Sequence, residues 1–212
     1  MKLYGYFRSS AAFRVRIGLN LKGLAYEHAG VHLRKNEQRA AAYADLNPQM
    51  LVPALVDGEQ VLTQSLAILE YLDETHPEPP FLPRDPAGRA RVRAIAQIVA
   101  CDVHPLNNLR VLRYLERDMG QDQARRDAWY AQWIVEGFAA IEATLAKGPT
   151  GAFCHGDTPT LADICLVPQV FNARRVPFDF APYPTLMRVF EACMRLPAFD
   201  AAQPSRQPDA EP

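Results

Sequence analysis

The stretch from His76 to Gly88, HPEPPFLPRDPAG, holds five prolines in thirteen residues, and nothing else in the chain limits the fold as much. Proline fixes φ and removes a backbone donor, so this stretch suits neither helix nor central strand and reads as an extended linker. The chain differs in kind on its two sides. Before the linker, strand patterns at Lys2–Tyr6 and Tyr26–Val31 alternate with helical patterns at Ala11–Lys22 and Glu37–Asp45. Val52–Val56 and Gln60–Thr63 then read as a hairpin around Asp57-Gly58, and Ser65–Thr75 as a helix. The order βαβαββα implies a small mixed sheet with helices packed on it. After the linker only helical spacing occurs, over Arg89–Asp118, Gln123–Ala146, Thr160–Arg174 and Tyr183–Leu196. The spacing therefore predicts an α/β domain over residues 1–82 and an all-helical domain over 89–212. Pro105 should bend or break the first long helix, and Thr160-Leu-Ala-Asp163 has the form of a capping box. The polar, proline-rich end from Asp200 to Pro212 is expected on the surface or mobile.

Composition excludes several classes of function. Lysine and arginine (23) nearly balance aspartate and glutamate (24), so there is no bulk attraction to nucleic acid or to an anionic membrane. No apolar run reaches the length of a membrane span, and Arg8, Arg14 and Arg16 interrupt any signal-like start. A cytoplasmic protein is expected. Cys101, Cys154, Cys165 and Cys193 lie far apart with no C-x-x-C and no clustered histidines. They read as reduced cysteines filling core space, with no metal site.

Chemistry concentrates where strands hand over to helices. In YGYFRSSAAFRVRIGLNLKG, from Tyr4 to Gly23, Arg8-Ser9-Ser10 sit between a strand and a helix N-terminus. There the unpaired N–H groups and the positive end of the helix dipole favour a thiolate or carboxylate; alternatively, Ser9 or Ser10 simply caps the helix. Phe13, Ile17 and Leu21 form one stripe of that helix while Val15 and Leu19 lie nearly opposite, which predicts a sheet on one side and another domain on the other. Val52-Pro53 stands at a strand start, where a ligand's backbone can pair with the residue before the proline. Gln64-Ser65 stands at a second strand-to-helix junction, where a hydroxyl and nearby amides can hold a carboxylate or cap the helix. Glutathione, with its γ-glutamyl carboxylate and amine, cysteinyl backbone and thiol, needs three matching devices, and this chain has a candidate for each.

With these residues in view, the chain resembles the zeta class of glutathione transferases, the group containing maleylacetoacetate and maleylpyruvate isomerases. The resemblance runs through YFRSSAAFRVRIGLNLKG, LNPQMLVPAL, QSLAILEYLDE, HPLNNLRVL, GDTPTLADICLVPQV and the closing APYPTL and PSRQPD. It implies a thioredoxin-like N-terminal domain, a helical C-terminal domain and a homodimer. It also implies glutathione as cofactor, held by Ser9, Ser10, Ala11, Gln38, Val52, Pro53, Gln64, Ser65, His104 and Asn108. Ser9 becomes the hydroxyl that activates the thiol, with Ser10 its rival. Arg8, Arg110 and Arg175, with Asn108, fall where the class binds a diacid substrate, and Arg8 joins the serines as a catalytic residue. The alternative for Arg110 is a solvated basic face with Arg113 and Arg117. The class motif generally reads Ser-Ser-Cys, whereas this chain has Ala11 in the cysteine position, so any thiolate must come from glutathione.

The resemblance implies glutathione-dependent cis–trans isomerisation of a maleyl keto-acid in aromatic catabolism. Maleylacetoacetate is the first choice of substrate and maleylpyruvate the second. The same thiolate could instead conjugate or dehalogenate small α-halo acids, and a non-catalytic protein on this scaffold is a third reading. The pairing of Ser9 with Gln64-Ser65 argues against that third reading.

Overall fold

The computed structural model describes residues 1–211, which form two compact units. The first unit comprises Met1–Pro80 and the chain from Met194 onward. Its elements are β1 (Lys2–Gly5), α1 (Ser10–Leu21), β2 (Glu27–Gly30), α2 (Ala41–Leu46), β3 (Ala54–Asp57), β4 (Gln60–Thr63) and α3 (Ser65–Thr75). The sheet order is β2-β1-β3-β4, with β1 parallel to β2 and antiparallel to β3, as the βαβαββα reading requires. In register, Leu3 faces His28 on one side and Leu55 on the other. The β3–β4 turn runs through Gly58 at φ +57°, a conformation that L side chains rarely adopt.

Helix α1 starts at an N-cap serine and stops at Gly23 (φ +65°), where Leu24 N–H donates to Leu19 O at 3.0 Å. Its residues from Ala12 to Leu19 are all buried, Arg14 and Arg16 included. α3 covers part of this surface, and so does α9 (Pro197–Ala201) from the C-terminal segment. The expected helix over Glu37–Asp45 is divided. Asn36 sits in the left-handed region at φ 61° and Ala40 is extended, so 3₁₀ turns at Leu33–Lys35 and Glu37–Arg39 precede α2.

The C-terminal stretch departs from the expected 89–212 domain in one respect: residues 194–211 group with the first unit. From Asp200 to Glu211 all but Ala202 and Gln207 keep exposed or half-exposed surface, as expected. Phe199 and Ala202 have no exposed surface, and Asn20 Nδ2 donates to Ala198 O at 3.0 Å. The buried polar face of α1 supplies donors to this segment's carbonyls, which explains why a proline-rich, polar sequence stays bound.

The second unit, Phe81–Cys193, is helical apart from an isolated β-bridge between Thr150 and Gly156. It contains α4 (Pro86–Gln97), a π-helical turn (Ile98–Val103), α5 (Leu109–Arg117), α6 (Gln123–Lys147), α7 (Leu161–Ala173) and α8, which runs from Pro184 to Met194 across the unit boundary. Helix α4 begins inside the expected linker, because proline suits the first helical turn and the Asp85 carboxylate accepts from Gly88 N–H at 2.7 Å. The single helix expected over Arg89–Asp118 ends in π-type bonding, His104 N–H to Val99 O at 2.9 Å, just before Pro105. Proline has no N–H with which to continue the ladder, so a fresh helix restarts after Asn108.

Helix α7 is buried at every position but Phe171, and it packs against α4. The predicted capping box is present: the wholly buried Asp163 carboxylate accepts from Thr160 N–H, Thr160 Oγ1 and Cys154 N–H, each at 2.8 Å. Burial pushes the Asp163 carboxyl above its ordinary pKa, and these donors pull it back. Cys154, Cys165 and Cys193 are buried as expected, but Cys101 is exposed on the π turn. Among the described residues no helix is long and apolar enough to cross a membrane, and no cluster of three or more His, Cys, Asp or Glu side chains could hold a metal.

Candidate active site

The strand-to-helix junction after β1 is a tight turn closed by Ser9 N–H donating to Tyr6 O at 2.8 Å. Ser9 is the N-cap of α1 and its Oγ accepts from Ala12 N–H at 3.2 Å. That bond uses a lone pair of the oxygen and leaves the hydroxyl hydrogen to donate outward. Ser9 is half-buried, whereas Ser10, the first helical residue, is buried. Arg8 and Ala11 are half-buried beside them. No acidic side chain sits in the first turn of α1, so the positive end of its dipole meets no carboxylate from its own turn. The capping role and an anion-binding role for Ser9 are therefore compatible.

The second junction, before α3, is built differently. Gln64 is the N-cap at φ 66° and gives the helix no side-chain bond; its Nε2 donates to Gln49 Oε1 at 2.7 Å instead. The first N–H groups of α3 thus receive no cap from Gln64, and no acid occupies the first turn. Ser65 is buried, and its Oγ accepts from the Arg14 guanidinium (Nη1) at 3.2 Å. With the arginine donating, the Ser65 hydroxyl hydrogen is again available to an acceptor.

Val52 and Pro53 are buried just before β3, outside the β1–β3 register that ends at Tyr4 and Ala54, and their peptide bond is cis. Gln38 is buried on the second 3₁₀ turn, and its Oε1 is a buried acceptor with no hydrogen-bond partner among the described residues. Chemically, Gln38 Oε1 could accept from an ammonium, Ser65 and the α3 amides could donate to a carboxylate, the Val52 backbone could pair with a peptide, and Ser9 could donate to a sulfur.

In the helical unit, His104 closes the π turn and is half-buried. Asn108 is the N-cap of α5: its Oδ1 accepts from Val111 N–H at 3.1 Å and its Nδ2 donates to Pro105 O at 2.8 Å. Those bonds use groups that a ligand would otherwise engage. Arg110 is exposed on α5. Arg175 is exposed just past α7, its N–H donating to Asn172 O at 3.2 Å. Its neighbour Arg174 has a structural role, lying over the Phe190 ring at 4.6 Å.

Three residues beside the candidate site were not singled out in the sequence. Arg14 and Arg16 read there as interruptions of an apolar stretch and Asp209 as part of a polar end; all three lie in motifs of the resemblance, but the sequence assigns none of them a role. The available signal was two arginines on a helix apolar on both sides: charges there are buried and need partners. Arg16 has no exposed surface; burial lowers its guanidinium to about 10, still fully charged at neutral pH, while Tyr26 and Asp209 oppose that shift.

Residues 1–74 match the glutathione S-transferase N-terminal domain, and residues 123–193 the C-terminal domain of that family. A maleylpyruvate isomerase of a Ralstonia species is 54% identical over 211 residues, covering 99% of this chain and 100% of its own. The holo structure of a maleylpyruvate isomerase, described as a bacterial zeta-class glutathione S-transferase, superposes with a TM-score of 0.98 at 53% identity over the full length of both chains. A maleylacetoacetate isomerase from Methylobacterium extorquens AM1, solved with malonate and glutathione bound, gives 0.97 at 43% identity, again over both whole chains. The chain belongs to the glutathione S-transferase family, within its zeta class.

Proposed function

We propose that this protein is a glutathione-dependent cis–trans isomerase acting on a maleyl keto-acid. The observation that carries the reading is the end-to-end likeness to relatives named for that reaction; the Ser9 and Ser65 geometry supports it chemically. Bound glutathione would supply the thiolate that adds to the cis double bond and departs after the bond has rotated. Ser9 donates its hydroxyl hydrogen to the sulfur and, with the N-terminus of α1, favours the charged form. A charge-assisted hydrogen bond is worth roughly 1.5–3 kcal/mol, which corresponds to about one to two pKa units. A thiol starting near 8.5 then falls to roughly 6.5–7.5, so that about a quarter to three quarters of it is thiolate at pH 7. Ser10 is the weaker candidate because it is buried. Ser65, Gln64 and the first amides of α3 hold the γ-glutamyl carboxylate, Gln38 the amine, and Val52-Pro53 the cysteinyl backbone. Ala11 lies beside Ser9; the class resemblance also assigns His104 and Asn108 to glutathione, and for Asn108 that role would require its present bonds to Val111 N–H and Pro105 O to be shared.

Arg110 and Arg175 grip the two carboxylates of the substrate, and Arg8, helped by Arg175, stabilises negative charge as it develops on the keto oxygen. The step balances without a proton: the electron pair that moves to oxygen when the thiolate forms the carbon–sulfur bond returns to the double bond when the carbon–sulfur bond breaks and the thiolate leaves. We assign the protein to aromatic catabolism, in the cytoplasm and as a homodimer.

The test measures kcat/KM for maleylacetoacetate, maleylpyruvate and a small α-halo acid at one saturating glutathione concentration. Either maleyl substrate should exceed the halo acid by orders of magnitude. A preference for the halo acid would make the protein a transferase of another kind.

A further inference from the structure

The turn that presents Arg8 and Ser9 is gripped from outside by residues distant in sequence. Asp209 Oδ2 accepts from Phe7 N–H at 2.9 Å, across 202 positions of chain. On the other side of the same residue, Phe7 C=O accepts from Arg16 Nη2 at 3.2 Å, and Arg16 Nε donates to Ala202 O at 2.9 Å. One buried guanidinium therefore ties the site turn to the C-terminal segment, and one carboxylate from that segment ties back to the turn.

The carboxylate has a shaped place. Its side chain is 21% exposed, Oδ1 lies 2.9 Å from His28 Nε2 but off the direction of a hydrogen bond, and a Cβ on Gly30 would come within 3.3 Å of its Cβ. Neighbours hold the segment on both sides of it. Gln207 Nε2 donates to Ala201 O and Gln203 O, while Glu211 reaches His32 and Lys35, each at 3.1 Å.

We propose that Asp209 is a positioning residue of the active site: with Arg16 it fixes the Phe7 peptide, and through the Tyr6–Ser9 turn it aims Arg8 and the Ser9 hydroxyl. This rests on the proposed glutathione site and assigns the C-terminal segment a part in it. A residue that merely closed the fold could have bonded any exposed amide; this pair holds both polar groups of the residue that precedes Arg8. Without Asp209 the turn keeps its own Ser9 N–H to Tyr6 O bond but loses its outer anchor, and Ser9 is free to shift by the few tenths of an ångström to which a hydrogen bond is sensitive.

The test follows the ultraviolet absorbance of the glutathione thiolate bound to purified full-length protein as pH is raised. Asp209→Ala should raise the bound thiol pKa by about half a unit to one unit, and lower kcat more than it raises the KM for glutathione. Asp209→Asn keeps an oxygen for Phe7 N–H and should restore most of the shift. A chain ending at Gln207 should behave like Asp209→Ala and serves if that variant folds poorly. Lys22→Met removes the 2.8 Å bridge to Asp73 elsewhere in this unit. It should cost stability with an unchanged thiol pKa, which separates positioning from general loosening. An unchanged thiol pKa in both Asp209→Ala and the shortened chain would overturn the inference while leaving the glutathione site standing. Failure of the unaltered protein to lower the thiol pKa would instead remove the reading on which the inference rests.

Discussion

Replacing Arg14 by methionine keeps much of the apolar stem and removes the guanidinium that donates to Ser65 Oγ. The donor–acceptor distance of 3.2 Å lies at the long end for an N–H···O bond. The lower end of the range for a charged donor therefore applies, about 1.5 kcal/mol. If Ser65 is aimed at the γ-glutamyl carboxylate by that donor, the loss should appear as roughly tenfold weaker glutathione binding. The cost in stability should be smaller than for an ordinary buried deletion, because an apolar replacement also relieves the desolvation of a charge. The assay is a calorimetric titration of glutathione into Arg14→Met, Ser65→Ala and the double variant, with thermal melts as the folding control. Ser65→Ala already removes the group on which Arg14 acts, so adding Arg14→Met should weaken binding little further, a coupling of about 1.5 kcal/mol. Strictly additive losses would refute the reasoning and make Arg14 a structural residue independent of Ser65.

Ser9→Ala should leave glutathione bound while raising its thiol pKa by about one to two units, read from thiolate absorbance; an unchanged titration would move the role to Ser10. Arg110→Met and Arg175→Met should raise the KM for the diacid, with a fall in kcat as well for Arg175, while conjugation of glutathione to an uncharged halo-aromatic stays near its original rate. Equal losses on both reactions would point to damaged folding. Asp163→Ala strands the donors of Thr160 and Cys154 in a buried site, which should cost about 3–5 kcal/mol in chemical denaturation. A loss below about 1 kcal/mol would mean that water satisfies them.

The sequence carried the parts of this fold that local chemistry dictates. Alternation with an Asp-Gly turn marked the β3–β4 hairpin, and a proline run beside a change of periodicity marked the passage to the helical unit. Ser9 and Ser65 were legible because a hydroxyl at a strand-to-helix junction has few physical uses. What escaped was tertiary. Nothing local distinguishes Asp209 from any other acid near a chain end, and its partner, Phe7 N–H, is a backbone group that every residue carries. Arg16 escaped because its partners are carbonyls, which leave no trace in sequence. The π turn before Pro105 was also hidden: proline announces a break in a ladder, but not which bonding pattern precedes it. The divided helix near Gln38 depends on the left-handed Asn36, a conformation asparagine tolerates without advertising it.

The most direct measurement of the central claim is a mass balance on glutathione. The maleyl keto-acid is incubated with the protein and a sub-stoichiometric amount of glutathione, and the alkene protons are followed by nuclear magnetic resonance. The account predicts complete conversion of cis to trans, many product molecules per glutathione, the thiol recovered unchanged at the end, and no conversion when it is omitted. Conversion that stops at one equivalent with glutathione held in a stable conjugate, or conversion that proceeds without glutathione, would contradict it.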